Sequence, residues 1–332
     1  MDIRENFFET PRHKSFYLSS GPEDGELVIM THGWPELSLS WRHQLNFLGE
    51  LGYHAIAPDM RGYGRSSVYK NHEAYSQREI NLDMVELFNS LGTDCAIWIG
   101  HDWGSPVAWN MALHHPDKVR AVGSLCVPFG FGGHPEGLLN TVNREVYPTD
   151  EFPAGQWDYQ FYYYEDFDAA QKEMDEDPYN LVKALFRKGD PLGQGLPAIT
   201  SQVRKNKGWF AEFGGVPDLP IDEEVISEEE ARVFAKYLSE NTFFGPNSWY
   251  VNSEENQKFR DSVKDQTLEM PSLFVHATYD YVCDTTSSPK FAASTNKACK
   301  NLTEKRIDCG HWMAQEKPGE LNLILKDWLS EI

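Results

Sequence analysis

Short apolar runs rich in β-branched residues recur along the chain, each bounded by Gly, Pro or Asp, and they alternate with stretches whose apolar residues fall at helical spacing. The runs cover residues 27–31, 54–58, 96–100, 119–127, 272–277 and 302–307, with helical patterns at 79–91 and 105–114. Strands that are apolar throughout, rather than at alternate positions, are what a parallel sheet buried on both faces requires. The pattern therefore predicts βαβ units with helices on either side of one sheet. Between about Gly130 and Lys264 the texture changes to aromatics, acidic runs and amphipathic helix such as 231–238, with no strand series. The strand pattern resumes at Ser272. The expected organisation is an α/β core in 1–135 and 266–332, with a helical cap, 136–265, inserted after the sixth strand.

A 40% hydrophobic content in 332 residues is ample for one large buried core. Lys and Arg total 30 against 51 Asp and Glu, a net charge of -21, so a phosphate backbone or an anionic membrane would be repelled. Neither nucleic acid nor membrane is an expected partner. Five scattered cysteines (Cys95, Cys126, Cys283, Cys299, Cys309) show no spacing suited to zinc and read as reduced thiols. The start of the chain is charged from its second residue, and no apolar run approaches the ~20 residues of a membrane helix, so a cytoplasmic location is expected. Asn301-Leu-Thr303 matches a glycosylation sequon by chance on this reading. No HExxH, no GxGxxG after the first strand and no P-loop occurs, so neither metal nor organic cofactor is expected.

The most informative stretch is Ala96-Ile-Trp-Ile-Gly-His-Asp-Trp-Gly-Ser105, an apolar strand running into Gly-x-Asp-x-Gly and then a helix. It has the form of a nucleophile elbow with aspartate, Asp102, in place of serine. Gly100 and Gly104 suit a turn too tight for side chains on either side. A carboxylate at a helix N-terminus is favoured as an anion and needs no base to activate it. Asp is also a common helix cap, so Asp102 alone would be ambiguous. Three further segments favour chemistry. Thr31-His-Gly-Trp-Pro35 follows an apolar run and could aim the Trp34 amide at the site, forming an oxyanion hole with that of Trp103. Asp308-Cys-Gly-His-Trp312 puts His311 where the chain order nucleophile, acid, histidine requires it. His276-Ala-Thr-Tyr-Asp280 ends the penultimate strand and offers Asp280 as the orienting acid, with Asp284 as its competitor.

His32-Gly-Trp-Pro35, Asp59-Met-Arg-Gly-Tyr-Gly-Arg-Ser66, Gly100-His-Asp-Trp-Gly104 and Gly310-His-Trp312 together resemble the soluble epoxide hydrolases of the α/β-hydrolase superfamily. The resemblance implies an eight-stranded, mostly parallel sheet, a small apolar epoxide and water as reactants, and two cap tyrosines as proton donors. Trp157-Asp-Tyr-Gln160 resembles the segment of the first and gives Tyr159, with Tyr162, Tyr163 and Tyr164 as neighbours; Pro246-Asn-Ser-Trp-Tyr250 gives Tyr250. It also implies an apolar pocket lined by Trp34, Trp157, Val282 and Trp312. Two rivals share the fold: a haloalkane dehalogenase using the same aspartate, with Trp103 donating to a departing halide, and a binding protein without turnover. The chain is expected to be a monomer or homodimer.

Overall fold

The computed structural model describes residues 2–332. Eight strands form one sheet: β1 Arg4–Glu9, β2 Lys14–Ser20, β3 Leu27–Thr31, β4 His54–Pro58, β5 Ala96–His101, β6 Val119–Leu125, β7 Leu268–Ala277 and β8 Cys299–Ile307. Their order is β1-β2-β4-β3-β5-β6-β7-β8, with β1 and β2 antiparallel and the other six strands parallel. Every residue of β3, β4 and β5 is buried, as helices on both faces demand. β5 lies at the middle of the sheet, so its end, which carries Asp102, opens where flanking strands supply loops from both sides.

The strand pattern read from the sequence begins at residue 27 and so omits β1 and β2. β1 forms the edge and four of its six residues are exposed, while β2 buries three serines, so neither carries an apolar run. The sixth strand stops at Leu125 rather than 127, because Cys126 turns into the left-handed region at φ 66°. β7 begins earlier than expected, at Leu268, and absorbs Pro271 through a register shift in its pairing with β8.

Between β6 and β7 the chain is helical, with helices at Asp158–Glu165, Phe167–Glu176, Pro178–Leu185, Glu228–Asn241 and Ser253–Asp261 among them. Local chemistry fixes their starts. Asp166 and Asp177 accept from the backbone of the following turn, and Ser227 forms a reciprocal capping box with Glu230. Indole N–H groups then tie cap to core. Trp34 donates to Asn247 Oδ1 at 3.0 Å, Trp249 to the Arg61 carbonyl at 3.1 Å and Trp312 to the Leu185 carbonyl at 2.7 Å. Each buries an aromatic body while satisfying its one polar atom. No helix among the described residues is long and apolar enough to cross a membrane.

Arg61 sits beneath this seam in a bidentate pair with buried Asp83, at 2.7 and 2.8 Å, and Arg12 reaches the same carboxylate. Removing one partner of such a pair leaves charge buried without compensation. Asp83→Asn should therefore lower the unfolding free energy by about 3–5 kcal/mol in urea titrations. A loss below about 1 kcal/mol would mean that the pair behaves as a solvated surface bridge.

Candidate active site

The turn after β5 is too crowded for side chains. A Cβ on Gly100 would lie 2.3 Å from the Gly104 carbonyl oxygen, and one on Gly104 would lie 2.1 Å from that of Thr31. Asp102 itself is held at φ 48°, a conformation that costs a non-glycine residue about 1–3 kcal/mol. That strain lifts its carboxylate to the start of helix Gly104–His114. There Oδ1 accepts the Trp34 amide N–H at 2.7 Å, and the Trp103 amide faces the same carboxylate. Gly33 makes this approach possible, since a Cβ there would fall 2.3 Å from Asp102 Oδ1.

His311, on the loop after β8, faces Asp102 from the other side, with Nε2 3.6 Å from Oδ2. Its Nδ1 lies 2.6 Å from Asp280 Oδ2. Asp280 follows β7, and its Oδ1 accepts the amides of Val282 and Cys283 at 3.1 and 2.9 Å, which fixes the carboxylate's direction. Asp284 spends its oxygens on Thr286 and Ser287 in the next turn and does not meet His311. Burial pushes the Asp102 carboxyl up, against the opposing pull of His311 and the two amides. For Asp280 the burial effect is outweighed by His311 and the amides, so its carboxyl lies below the usual range. Burial alone would lower His311, yet the charges of Asp280 and Asp102 carry it to about 9.

A second buried layer supports this row. His101 places Nδ1 2.8 Å from Glu36 Oε2 and Nε2 2.8 Å from the His311 carbonyl oxygen, while Glu36 also accepts the Gly33 amide at 2.8 Å. The Glu36 carboxyl is wholly buried, which opposes ionisation, but His101, His32 and the Gly33 amide hold it down to about 2. Residue 101 thus joins the Trp34 loop to the His311 loop directly behind Asp102. Nothing in the sequence pattern singles out Glu36 or His101, because their contact spans 65 positions.

Tyr159 and Tyr250 stand on two cap elements with their rings 5.6 Å apart. Burial first, and then the nearby acidic groups, push both phenols well above their ordinary value, so they stay protonated. The neighbouring tyrosines are engaged elsewhere: Tyr162 donates to the Lys207 carbonyl, Tyr163 faces Met174 Sδ, and Tyr164 accepts from the Ser253 amide. A cavity of about 260 Å³ is walled by Asp102, His311, both of these phenols, Trp34, Val282 and Trp312. Trp209 and Cys283 also line it, which the sequence did not suggest. Trp157 does not. Its ring is fully buried against Phe131 and Phe291, so its expected place on the pocket wall is corrected. Wider surface clefts, such as one beside His72 and Lys258, contain none of the elbow residues.

Residues 26–318 match the family described as alpha/beta hydrolase fold, and the chain belongs to that family. Within it, the relatives are epoxide hydrolases, and the chain belongs among them. It is 32% identical to epoxide hydrolase A of Mycobacterium tuberculosis, over 94% of this chain and 93% of that protein. It is 35% identical to the bifunctional epoxide hydrolase 2 of Sus scrofa over 94% of its own length, but spans only about half, 52%, of that longer protein. The crystal structure of epoxide hydrolase A from Mycobacterium thermoresistibile superposes with a TM-score of 0.79, at 29% identity, over 99% of this chain and 98% of that one.

His311 gives a pH signature. Its folded value of about 9 lies above the ordinary 6.5, so its pairing stabilises the fold fully below pH 6.5, and this contribution is lost as pH rises through 9. The urea midpoint of the wild type should fall between those limits, and His311→Gln should flatten that fall. Equal slopes in the two proteins would show that His311 is not held as the partner of Asp280 and Asp102.

Proposed function

We propose that the chain hydrates epoxides to vicinal diols in two steps, through an ester on Asp102. The observation that carries this reading is one small cavity in which the Asp102 carboxyl, a carboxylate-backed histidine and two protonated phenols converge. Tyr159 and Tyr250 grip the epoxide oxygen. Asp102 Oδ2 attacks a ring carbon, that carbon–oxygen bond breaks, and the oxygen takes a proton from a phenol. The second step needs a base. While Asp102 is anionic its charge helps keep His311 protonated, and esterification removes that charge. His311 then gives up its proton, which by way of solvent restores the phenol, and takes one from water, and the resulting hydroxide attacks the ester carbonyl. The Trp34 and Trp103 amides hold the oxyanion, and collapse returns the proton to the departing diol.

The halide reading has less support. It needs indole donors, but the Trp34 indole is committed to Asn247, and Trp103 is not among the residues lining the cavity. A binding protein would have no use for the row from Asp102 to Asp280. The five free thiols suit a reducing compartment such as the cytoplasm.

Tyr159→Phe or Tyr250→Phe alone should slow alkylation of the protein by styrene oxide about 10- to 1000-fold, the scale of one lost donor. The double variant should lose turnover almost completely with an unchanged circular dichroism spectrum. Near wild-type turnover by the double variant would remove both phenols from the reaction. His311→Gln should still open the epoxide but stall, and intact-mass measurement should show an adduct of substrate mass; a variant with neither turnover nor adduct would place His311 in the first step.

A further inference from the structure

Cys283 is a thiol on the cavity wall that the hydrolytic reading leaves without a task. Its backbone amide donates to Asp280 Oδ1 at 2.9 Å, so one turn positions both the carboxylate and the thiol. A carboxylate oxygen of Asp280, a ring nitrogen of His311 and Cys283 Sγ lie within 4.8 Å of one another. Oxygen, nitrogen and sulfur in that grouping are the donor set of zinc or cadmium. Bonds of about 2.0–2.3 Å place tetrahedral ligand atoms about 3–4 Å apart, so Asp280 Oδ2 and His311 Nδ1, now 2.6 Å apart, must part slightly to admit the ion, and Cys283 Sγ needs to move by about 1 Å at most to complete the set. Cys283 and His311 face the cavity, which gives an ion a way in.

We propose that Asp280, His311 and Cys283 form an inhibitory site for a thiophilic divalent cation, zinc or cadmium, entered through the substrate cavity. The ion replaces two protons, the thiol proton of Cys283 and the one that His311 Nδ1 shares with Asp280, and both pass to solvent. The inhibition rests on the reading of His311 as the water-activating base, since that is the group the ion takes. A second grouping, His101, Cys126 and His311, is equally close but is already spent. Both His101 nitrogens are bonded, Cys126 Sγ donates to the His311 carbonyl at 3.6 Å, and neither residue lines the cavity. Without an ion, burial and the neighbouring Asp280 keep the Cys283 thiol protonated, so it does not rival Asp102 as a nucleophile.

Cadmium chloride titrated into the whole protein reports binding through the ultraviolet thiolate-to-cadmium band, without any turnover. Styrene oxide hydrolysis on the same samples reports inhibition. One equivalent should raise the band and abolish turnover on a single curve, and EDTA should reverse both. Cys283→Ser should lose the band and weaken inhibition by at least about 10-fold, each protein being normalised to its own cadmium-free rate. His311→Gln, which keeps the thiol, should weaken binding by a similar factor, while Cys95→Ala should titrate like the wild type. A Cys283→Ser protein that keeps the band and wild-type inhibition would overturn the site, as would a wild type with neither. A band in a protein that hydrolyses no epoxide would leave the site standing and remove the functional reading instead.

Discussion

The arrangement turns on a carboxylate that is buried and yet kept available. Asp102 is 8% exposed, sits at a positive φ, and would be pushed towards neutrality by burial alone. Two backbone amides, the start of a helix and His311 oppose that push. The three glycines around it, Gly33, Gly100 and Gly104, are what allow backbone to approach so closely. A methyl group at any of them would meet an oxygen at less than 2.5 Å, so the donors of the oxyanion site and the crowding of the turn are one constraint.

Charge coupling along Asp102, His311 and Asp280 then supplies a sequence of events. Asp280 is fixed by amides that favour its ionised form, whereas in the proposed reaction the charge of Asp102 disappears on esterification. The same histidine can therefore be a cation beside a free carboxylate and a base beside an ester, without any movement of the backbone. The cap completes the site from above. Its two phenols are kept protonated by the burial that the indole bonds from Trp34, Trp249 and Trp312 maintain.

What the sequence reveals follows from how local each signal is. The parallel strands and the elbow are legible because burial on both faces writes continuous apolar runs, and because tight turns demand glycines at fixed spacing. β1 and β2 escape notice because an edge strand and a strand with buried serines carry no such run. Asp102, Asp280 and His311 are found through their places at strand ends, and the cap tyrosines only through family likeness. Glu36, His101 and Asn247 are invisible because their importance lies in contacts between distant segments. Trp157 misleads for the reverse reason. It lies two positions before Tyr159, but the 3-10 turn Gly155–Trp157 directs its ring to Phe131 and Phe291, away from the cavity.

The proposed ester on Asp102 would fix the route of oxygen, and that route can be followed. In one turnover in ¹⁸O-water with enzyme in excess over epoxide, the diol should take its new oxygen from the Asp102 carboxylate and emerge unlabelled. Mass spectrometry of the peptide containing Asp102 should find the label there. Label in the first diol and none in the peptide would mean that water opens the epoxide directly, with Asp102 serving as a base rather than as the nucleophile.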